Sequence, residues 1–191
     1  FIIAALNNKG SKINLKNINI NPSRDGILKA LKKMGAKINI KNRRTVSNEI
    51  VADFDVEYSN LVGCELDAEM AKFMIDEYPI LSIAAAFAKG ESIFRGLKEL
   101  RVKESDRLEL IRLNLVNCGC NCEVINDDLL IRPSDVYIPK SNKIRTDFDH
   151  RIAMSFAVMG SKIDNLIIED AESINTSFPN FIEKFNNAGG N

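Results

Sequence analysis

Two stretches of this chain hold bases where the physics of a helix start disfavours them. A helix N-terminus carries roughly half a positive charge, so acids settle there and bases do not. In Arg101-Val102-Lys103-Glu104-Ser105-Asp106-Arg107-Leu108, Lys103 and Arg107 bracket the start of a helix. In Asp147-Phe148-Asp149-His150-Arg151-Ile152, Arg151 falls in the first turn of another. A base so placed costs roughly a few tenths of a kcal/mol unless an anion is bound. With an anion, free backbone N–H groups, the helix dipole and the guanidinium act together. The alternative is local pairing with Glu104, Asp106 and Asp149, which would make both arginines structural. Recurrence of the anomaly at equivalent ends of two repeats favours the anion.

A third stretch, Phe73-Met74-Ile75-Asp76-Glu77-Tyr78-Pro79, sets acids before a helix, where capping alone can explain them. If the repeats stack, Asp76 lies at the same end as Arg107 and Arg151. A carboxylate facing two guanidiniums around a small anionic substrate suits acid/base work. On the residues alone this is a polyanion site with one or two carboxylates, its substrate unnamed.

The elements that must position these groups come from an internal repeat. An apolar, small-residue helix ending in Gly occurs at Phe1 to Gly10, Pro79 to Gly90 and His150 to Gly160. Each is followed by a short strand with a similar opening: Gly10-Ser11-Lys12-Ile13, Gly90-Glu91-Ser92-Ile93 and Gly160-Ser161-Lys162-Ile163. An amphipathic helix comes next, at Ser23 to Met34, Ser105 to Cys118 and Ser177 to about Asn187, closed by Gly35, Gly119 and Gly189. Glycine is the usual residue just past a helix end. Lys37 to Ile40 and Cys120 to Ile131 then read as β-rich, and Lys41 to Ser59, with alternating Ile50, Ala52, Phe54 and Val56, as a strand with one buried face. The pattern predicts three stacked α/β units, with the Ala-rich helices central because they are apolar on most faces and the strands outside.

Composition narrows the partners. The 191 residues carry 45% hydrophobic and 27% charged side chains, which excludes a disordered or collagen-like chain. Lys+Arg 26 against Asp+Glu 26 gives no net charge, so neither nucleic acid nor an anionic membrane is recognised by bulk charge. Apolar runs such as Ile83 to Ala88 fall far short of the ~20 residues of a membrane span. His150 is the only histidine, leaving little material for a His-based metal site or a Ser-His triad. Cys64, Cys118, Cys120 and Cys122 lack zinc or redox spacing and predict reduced, structural thiols in a cytosolic protein. Phe1 to Leu6 reads as the middle of a buried helix, which predicts a fragment of something longer.

The charged stretches also carry a resemblance. Leu100 to Leu108, Asp149-His150-Arg151-Ile152-Ala153-Met154, Thr176-Ser177-Phe178-Pro179 and Met74-Ile75-Asp76-Glu77-Tyr78-Pro79 together resemble the signatures of the EPSP synthase family, the 3-phosphoshikimate 1-carboxyvinyltransferases. The step from Asp76 to Glu104, 28 residues, is also similar to the family's spacing. The resemblance spans the whole chain. It implies an α+β enolpyruvyl transferase-like domain of three βαβαββ units, central parallel helices inside and sheets outside, with helix N-termini facing an interdomain cleft. Residues 1–191 would be the C-terminal domain, truncated at its N-terminal end, with the N-terminal half absent.

The implied reaction moves the enolpyruvyl group of phosphoenolpyruvate to the 5-hydroxyl of 3-phosphoshikimate, releasing phosphate through a tetrahedral ketal. By resemblance, Asp76 binds the shikimate hydroxyls and accepts the proton of the attacking one. Lys103 touches the 3-phosphate, and Glu104 moves the proton to and from the phosphoenolpyruvate methylene. Arg107 and Arg151 clamp the phosphoenolpyruvate carboxylate. No metal or organic cofactor is implied, and the parent enzyme is expected to be a cytoplasmic monomer whose partners are its two substrates and the missing domain. Thr176 departs from the many relatives with Lys there, a residue that helps hold the phosphoenolpyruvate phosphate. Two other readings stand beside this one: an enolpyruvyl transferase acting on UDP-N-acetylglucosamine, which the Lys103 to Arg107 motif disfavours, and a non-catalytic anion-binding module.

Overall fold

The computed structural model describes residues 1–189. The first unit runs α1 (Ile2–Asn7), β1 (Lys12–Asn19), α2 (Gly26–Lys33), β2 (Lys37–Val46) and β3 (Glu49–Glu57). The second runs β4 (Glu65–Leu66), α3 (Ala71–Met74), α4 (Tyr78–Ala86), β5 (Ser92–Phe94), α5 (Arg107–Asn117), β6 (Asn121–Ile125) and β7 (Asp128–Arg132). The third holds β8 (Lys143–Ile144), α6 (His150–Gly160), β9 (Ile167–Ile168) and α7 (Phe181–Asn187). The repeat is topological. The antiparallel order β1-β3-β2 recurs as β5-β7-β6, and the parallel pair β4-β5 recurs as β8-β9. Among the described residues, the middle unit alone shows all the strands and helices of a βαβαββ unit.

The three small-residue helices pack on one another in the centre. All of α4 except Ile80 is buried, as a helix apolar on every side must be. Pro79 in its first turn has a φ already suited to a helix and lacks an N–H that would go unpaired there. The helices point the same way. At one end Arg151 Nη1 donates to the Asp76 carbonyl (3.3 Å), joining the starts of α6 and α4. At the other, Asn8 Nδ2 donates to Ser161 Oγ (2.8 Å), joining the ends of α1 and α6. Close packing also fixes the approach to Asp76: a Cβ on Gly26, where α2 begins, would sit 2.9 Å from Met74 Cβ at the end of α3. Helix α5 ends as predicted at Gly119, whose φ of +88 lets the Cys120 amide reach back to Leu115 O (2.9 Å).

Two strand readings and the amphipathic helix starts need correction. Lys41 to Ser59 is not one strand but the end of β2, a turn and β3. The turn residues Ser47 and Asn48 both adopt positive φ (+48 and +64), as a tight hairpin requires, and no glycine marks it. Within β3, Ala52, Phe54 and Val56 are buried as expected, whereas Ile50 beside the turn is exposed. Gly160-Ser161-Lys162-Ile163 is a turn rather than a strand. The amides of Ser161, Lys162 and Ile163 donate back to Val158 and Met159, so pairing is delayed to β9. All three amphipathic helices start later than their leading serines: α2 at Gly26, α5 at Arg107 and α7 at Phe181. Before α2, the side chains of Asn19 and Asn21 capture the amides of Asn21 and Ser23 and hold them in turns.

In the first sheet, β1 bulges opposite Asp53, between Leu15 and Ile18, and β2 bulges opposite Ala52, between Lys41 and Arg44. Asn17 and Asn42 take positive φ there (+57 and +52). The Asp53 carboxylate closes both bulges, accepting from the Asn17 amide (3.0 Å), Asn42 Nδ2 (3.0 Å) and Arg44 Nη2 (2.9 Å). All four cysteines are buried and unbridged, and burial raises the Cys118 and Cys120 thiols to about 12. No helix among the described residues is long and apolar enough to cross a membrane.

Candidate active site

The sequence-predicted residues Asp76, Lys103, Glu104, Arg107 and Arg151 meet where α4, α5 and α6 begin. Arg107 opens α5 and is only 1% exposed. A buried guanidinium must satisfy its N–H groups, and three carboxylates do so. Nε donates to Asp149 Oδ2 (2.7 Å), Nη1 to Asp76 Oδ1 (3.0 Å) and Nη2 to Glu104 Oε2. Local pairing is therefore real at Arg107, through Glu104 and Asp149. Asp106 takes no part in it: it caps α5 through the Glu109 amide (2.9 Å) and meets Arg101 at 3.2 Å.

Arg151 behaves differently. Its guanidinium reaches across the bundle, to the Asp76 carbonyl at 3.3 Å and to Asp76 Oδ2 at 3.7 Å. Lys103 holds Glu99 at 2.7 Å and stands 3.7 Å from Asp76 Oδ1. Asp76 thus faces three cations with one carboxylate. Its hydrogen bond to Arg107 has ordinary length (3.0 Å), while the 3.7 Å approaches of Lys103 and Arg151 are charge contacts beyond hydrogen-bond length. Asp76 caps nothing: it sits in a tight turn, Ile75–Glu77, that makes no side-chain bond to the helix start.

The surroundings tune the acids and bases. Burial works to raise Asp149, but the Arg107 hydrogen bond and charge, the Ser105 hydroxyl and the Arg151 amide outweigh it, and the carboxyl is held below its ordinary range. Glu77 is pushed up, by burial first, with Arg151 opposing. Lys103 is pushed up by its hydrogen bond to Glu99 and the charge of Asp76, against some desolvation. Beside Arg151, a pocket of about 210 Å³ runs past Ile80, Met154 and Phe178. Phe178 is what the Thr176-Ser177-Phe178-Pro179 stretch contributes to this end. Thr176 itself turns inward on its own segment, donating Oγ1 to Ser173 O (2.7 Å).

Three participants were not singled out from the sequence as site residues: Ser105, which donates to Asp149 Oδ2 (2.9 Å), Glu99 and Glu77. The lowered Asp149 is also more than a local partner, since its bond to Arg107 spans 42 positions. Among the described residues no group of three or more His, Cys, Asp or Glu side chains is placed to hold a metal.

Three inward helices with outer sheets define the enolpyruvyl transferase fold. An enolpyruvyl transferase from Streptomyces tendae superposes over the whole chain and 41% of its own length with a TM-score of 0.70, at 14% identity, which speaks for the fold alone. The match sharpens with an EPSP synthase from Acinetobacter baumannii: TM-score 0.91, 36% identity, 99% of this chain and 44% of that one. The EPSP synthase (3-phosphoshikimate 1-carboxyvinyltransferase) family model matches residues 1–185, and the chain belongs to that family. Curated 3-phosphoshikimate 1-carboxyvinyltransferases from Paramagnetospirillum magneticum and Cereibacter sphaeroides are 46% and 43% identical over 98% of the chain. The chain spans 42% of the length of each.

Proposed function

We propose that the protein carrying this chain transfers the 1-carboxyvinyl group of phosphoenolpyruvate to the 5-hydroxyl of 3-phosphoshikimate, and that this chain forms one wall of the active site. The observation that carries the reading is the single carboxylate, Asp76, set among Arg107, Lys103 and Arg151 at converging helix starts. Asp76 takes the hydroxyl proton as oxygen attacks C2 of phosphoenolpyruvate. Glu104 delivers a proton to the methylene carbon, giving the tetrahedral ketal. The C2–O bond to phosphate then breaks, and Glu104 removes a methyl proton to restore the double bond. Arg107 and Arg151 hold the carboxylate of the donor and Lys103 the 3-phosphate of the acceptor, which orients the reacting atoms.

This wall carries no excess of positive charge. Lys103, Arg107 and Arg151 stand against Asp76, Glu104 and Asp149, with Glu99 on Lys103 and Glu77 beside Arg151, so two multiply charged substrates need further cations from outside it. The missing half of the enzyme supplies them in this reading. The buried, unbridged thiols support a cytosolic setting. The test is to express the chain alone and together with the N-terminal half, and to follow phosphate release from both substrates. Turnover is expected only with both halves, and lost with Asp76→Ala. Turnover by the chain alone would contradict the one-wall reading, and no turnover from two folded halves would contradict the activity.

A further inference from the structure

We propose that Asp149 is the positioning residue for the donor site, a single carboxylate that sets both arginines at once; the inference rests on the functional reading above. Asp149 is wholly buried, and its two oxygens do separate work. Oδ1 caps α6, accepting from the amides of Arg151 (2.9 Å) and Ile152 (3.4 Å). That bond fixes the first turn of α6, and with it the backbone from which the Arg151 side chain extends. Oδ2 faces the other way and accepts from Arg107 Nε (2.7 Å) and Ser105 Oγ (2.9 Å).

A helix cap alone needs one oxygen, and Ser, Thr or Asn supplies it as well. The second oxygen is what a cap does not explain. By taking Nε from behind, it leaves both terminal nitrogens of Arg107 directed at Asp76 and Glu104, on the side where the donor would bind in the functional reading. The Ser105 hydroxyl keeps Oδ2 in that direction. One planar, four-acceptor group thus fixes the angle between two guanidiniums that start on different helices, as bidentate recognition of a carboxylate requires. Asp149 touches no substrate in this arrangement. It acts through Arg107 and Arg151.

Asp149→Asn separates the two duties. The amide keeps an oxygen for the cap but presents no second acceptor to Arg107 Nε. Because the cap is kept, the full-length variant should still fold, with a melting temperature lowered by the loss of one partner of the buried Arg107. The KM for phosphoenolpyruvate should rise on the order of tenfold to a hundredfold, the cost of a clamp displaced by a fraction of an ångström. The KM for 3-phosphoshikimate should stay within about twofold, because Lys103 is not held by Asp149.

A second readout is one that a merely structural role would not move. Removing a buried negative charge behind Arg107 leaves its positive charge less compensated toward Asp76 and Glu104, with Lys103, Glu77 and Arg151 unchanged around them. A more positive field favours the ionised form of a catalytic base, so the acid limb of the kcat profile should shift to lower pH. Folded Asp149→Asn with an unchanged phosphoenolpyruvate KM and an unmoved acid limb would overturn the proposal. Should that variant fail to fold, Ser105→Ala decides. A rise of about threefold in the same KM supports the proposal and an unchanged KM overturns it. Wild-type enzyme that releases no phosphate brings down the functional reading and this inference together, whereas active wild type with an unaltered Asp149→Asn brings down only the inference.

Discussion

The molecule contains two clusters built on a buried aspartate and an arginine, and they serve different ends. In the first sheet, Asp53 and Arg44 close a pair of bulges. At the helix starts, Asp149 and Arg107 lie under the candidate site. Both carboxyls are held below their ordinary range: Asp53 by the Asn17 amide, then Asn42 and Arg44, and Asp149 by Arg107 and its neighbours against burial. A buried, acid-shifted aspartate is therefore no mark of function by itself. What differs is how the positive charge is used up. Arg44 is 37% exposed and spends its donors on Asn42 O, Asn17 Oδ1 and Asp53, all within the bulged strands. At the helix starts, Lys103 and Arg151 share a carboxylate already bonded to Arg107, and neither gets closer to it than 3.7 Å. The sheet cluster is closed. In the helix-end cluster Lys103 is taken by Glu99, but the Arg151 guanidinium has no carboxylate at hydrogen-bond length and stays open to a ligand.

The comparison breaks most visibly if the two arginines turn out to be equivalent. Arg107→Ala in the full-length enzyme should cost about 3–5 kcal/mol of stability, because it strands the buried Asp149. It should also lower kcat/KM for phosphoenolpyruvate on the order of 10²–10³-fold. Arg44→Ala should leave both kinetic constants within about twofold, since its partners lie in a sheet that does not reach the site. Steady-state kinetics with thermal melts separate the outcomes, and equal kinetic losses would show that the closed cluster is not merely structural.

The next effect is smaller and more selective. Asp76→Ala should lower kcat by about 10²–10⁴-fold, the range for a lost general base. Because Asp76 is the acid that occupies Arg107, Lys103 and Arg151, its removal frees cations, so the KM for phosphoenolpyruvate should fall or stay level. A rise in KM with kcat intact would recast Asp76 as a binding group. Asp53→Ala should change neither constant.

Much of this was legible because helix starts obey local electrostatics. Arg107 and Arg151 stood out as bases in first turns, and the repeat order, the glycine stops and the central Ala-rich helices followed from periodicity. What the sequence hid is non-local. The acids that surround Arg107 come from two separate segments besides its own, at separations of 31 and 42 positions to Asp76 and Asp149. Stacking the repeats brought Asp76 to the right end, but spacing cannot show which acids bond Arg107, nor that Arg107 is buried rather than displayed. Local readings failed where side chains replaced the usual signals: Ser47 and Asn48 make a hairpin without glycine, and Asn19 and Asn21 delay the start of α2.

The mildest test uses acid. A carboxyl held low in the folded protein contributes stability that is complete above its unfolded pKa, near 3.9, and is lost as pH falls through the folded value. Asp53 and Asp149 are both held low, so both contributions should be whole at about pH 7 and should fade below about pH 4. Asp53→Asn should melt below wild type at neutral pH, and the gap should narrow steadily as pH drops through that window, because wild type loses what the variant never had. Its kinetics should match wild type wherever both are folded. Asp149→Asn should show the same acid-dependent narrowing of any melting difference, but with altered phosphoenolpyruvate use at neutral pH. Melts taken at several pH values, paired with kinetics, thus read the shared electrostatics and the different purposes separately. A gap for Asp53→Asn that holds constant into acid would mean that its loss comes from bulge geometry rather than from charge.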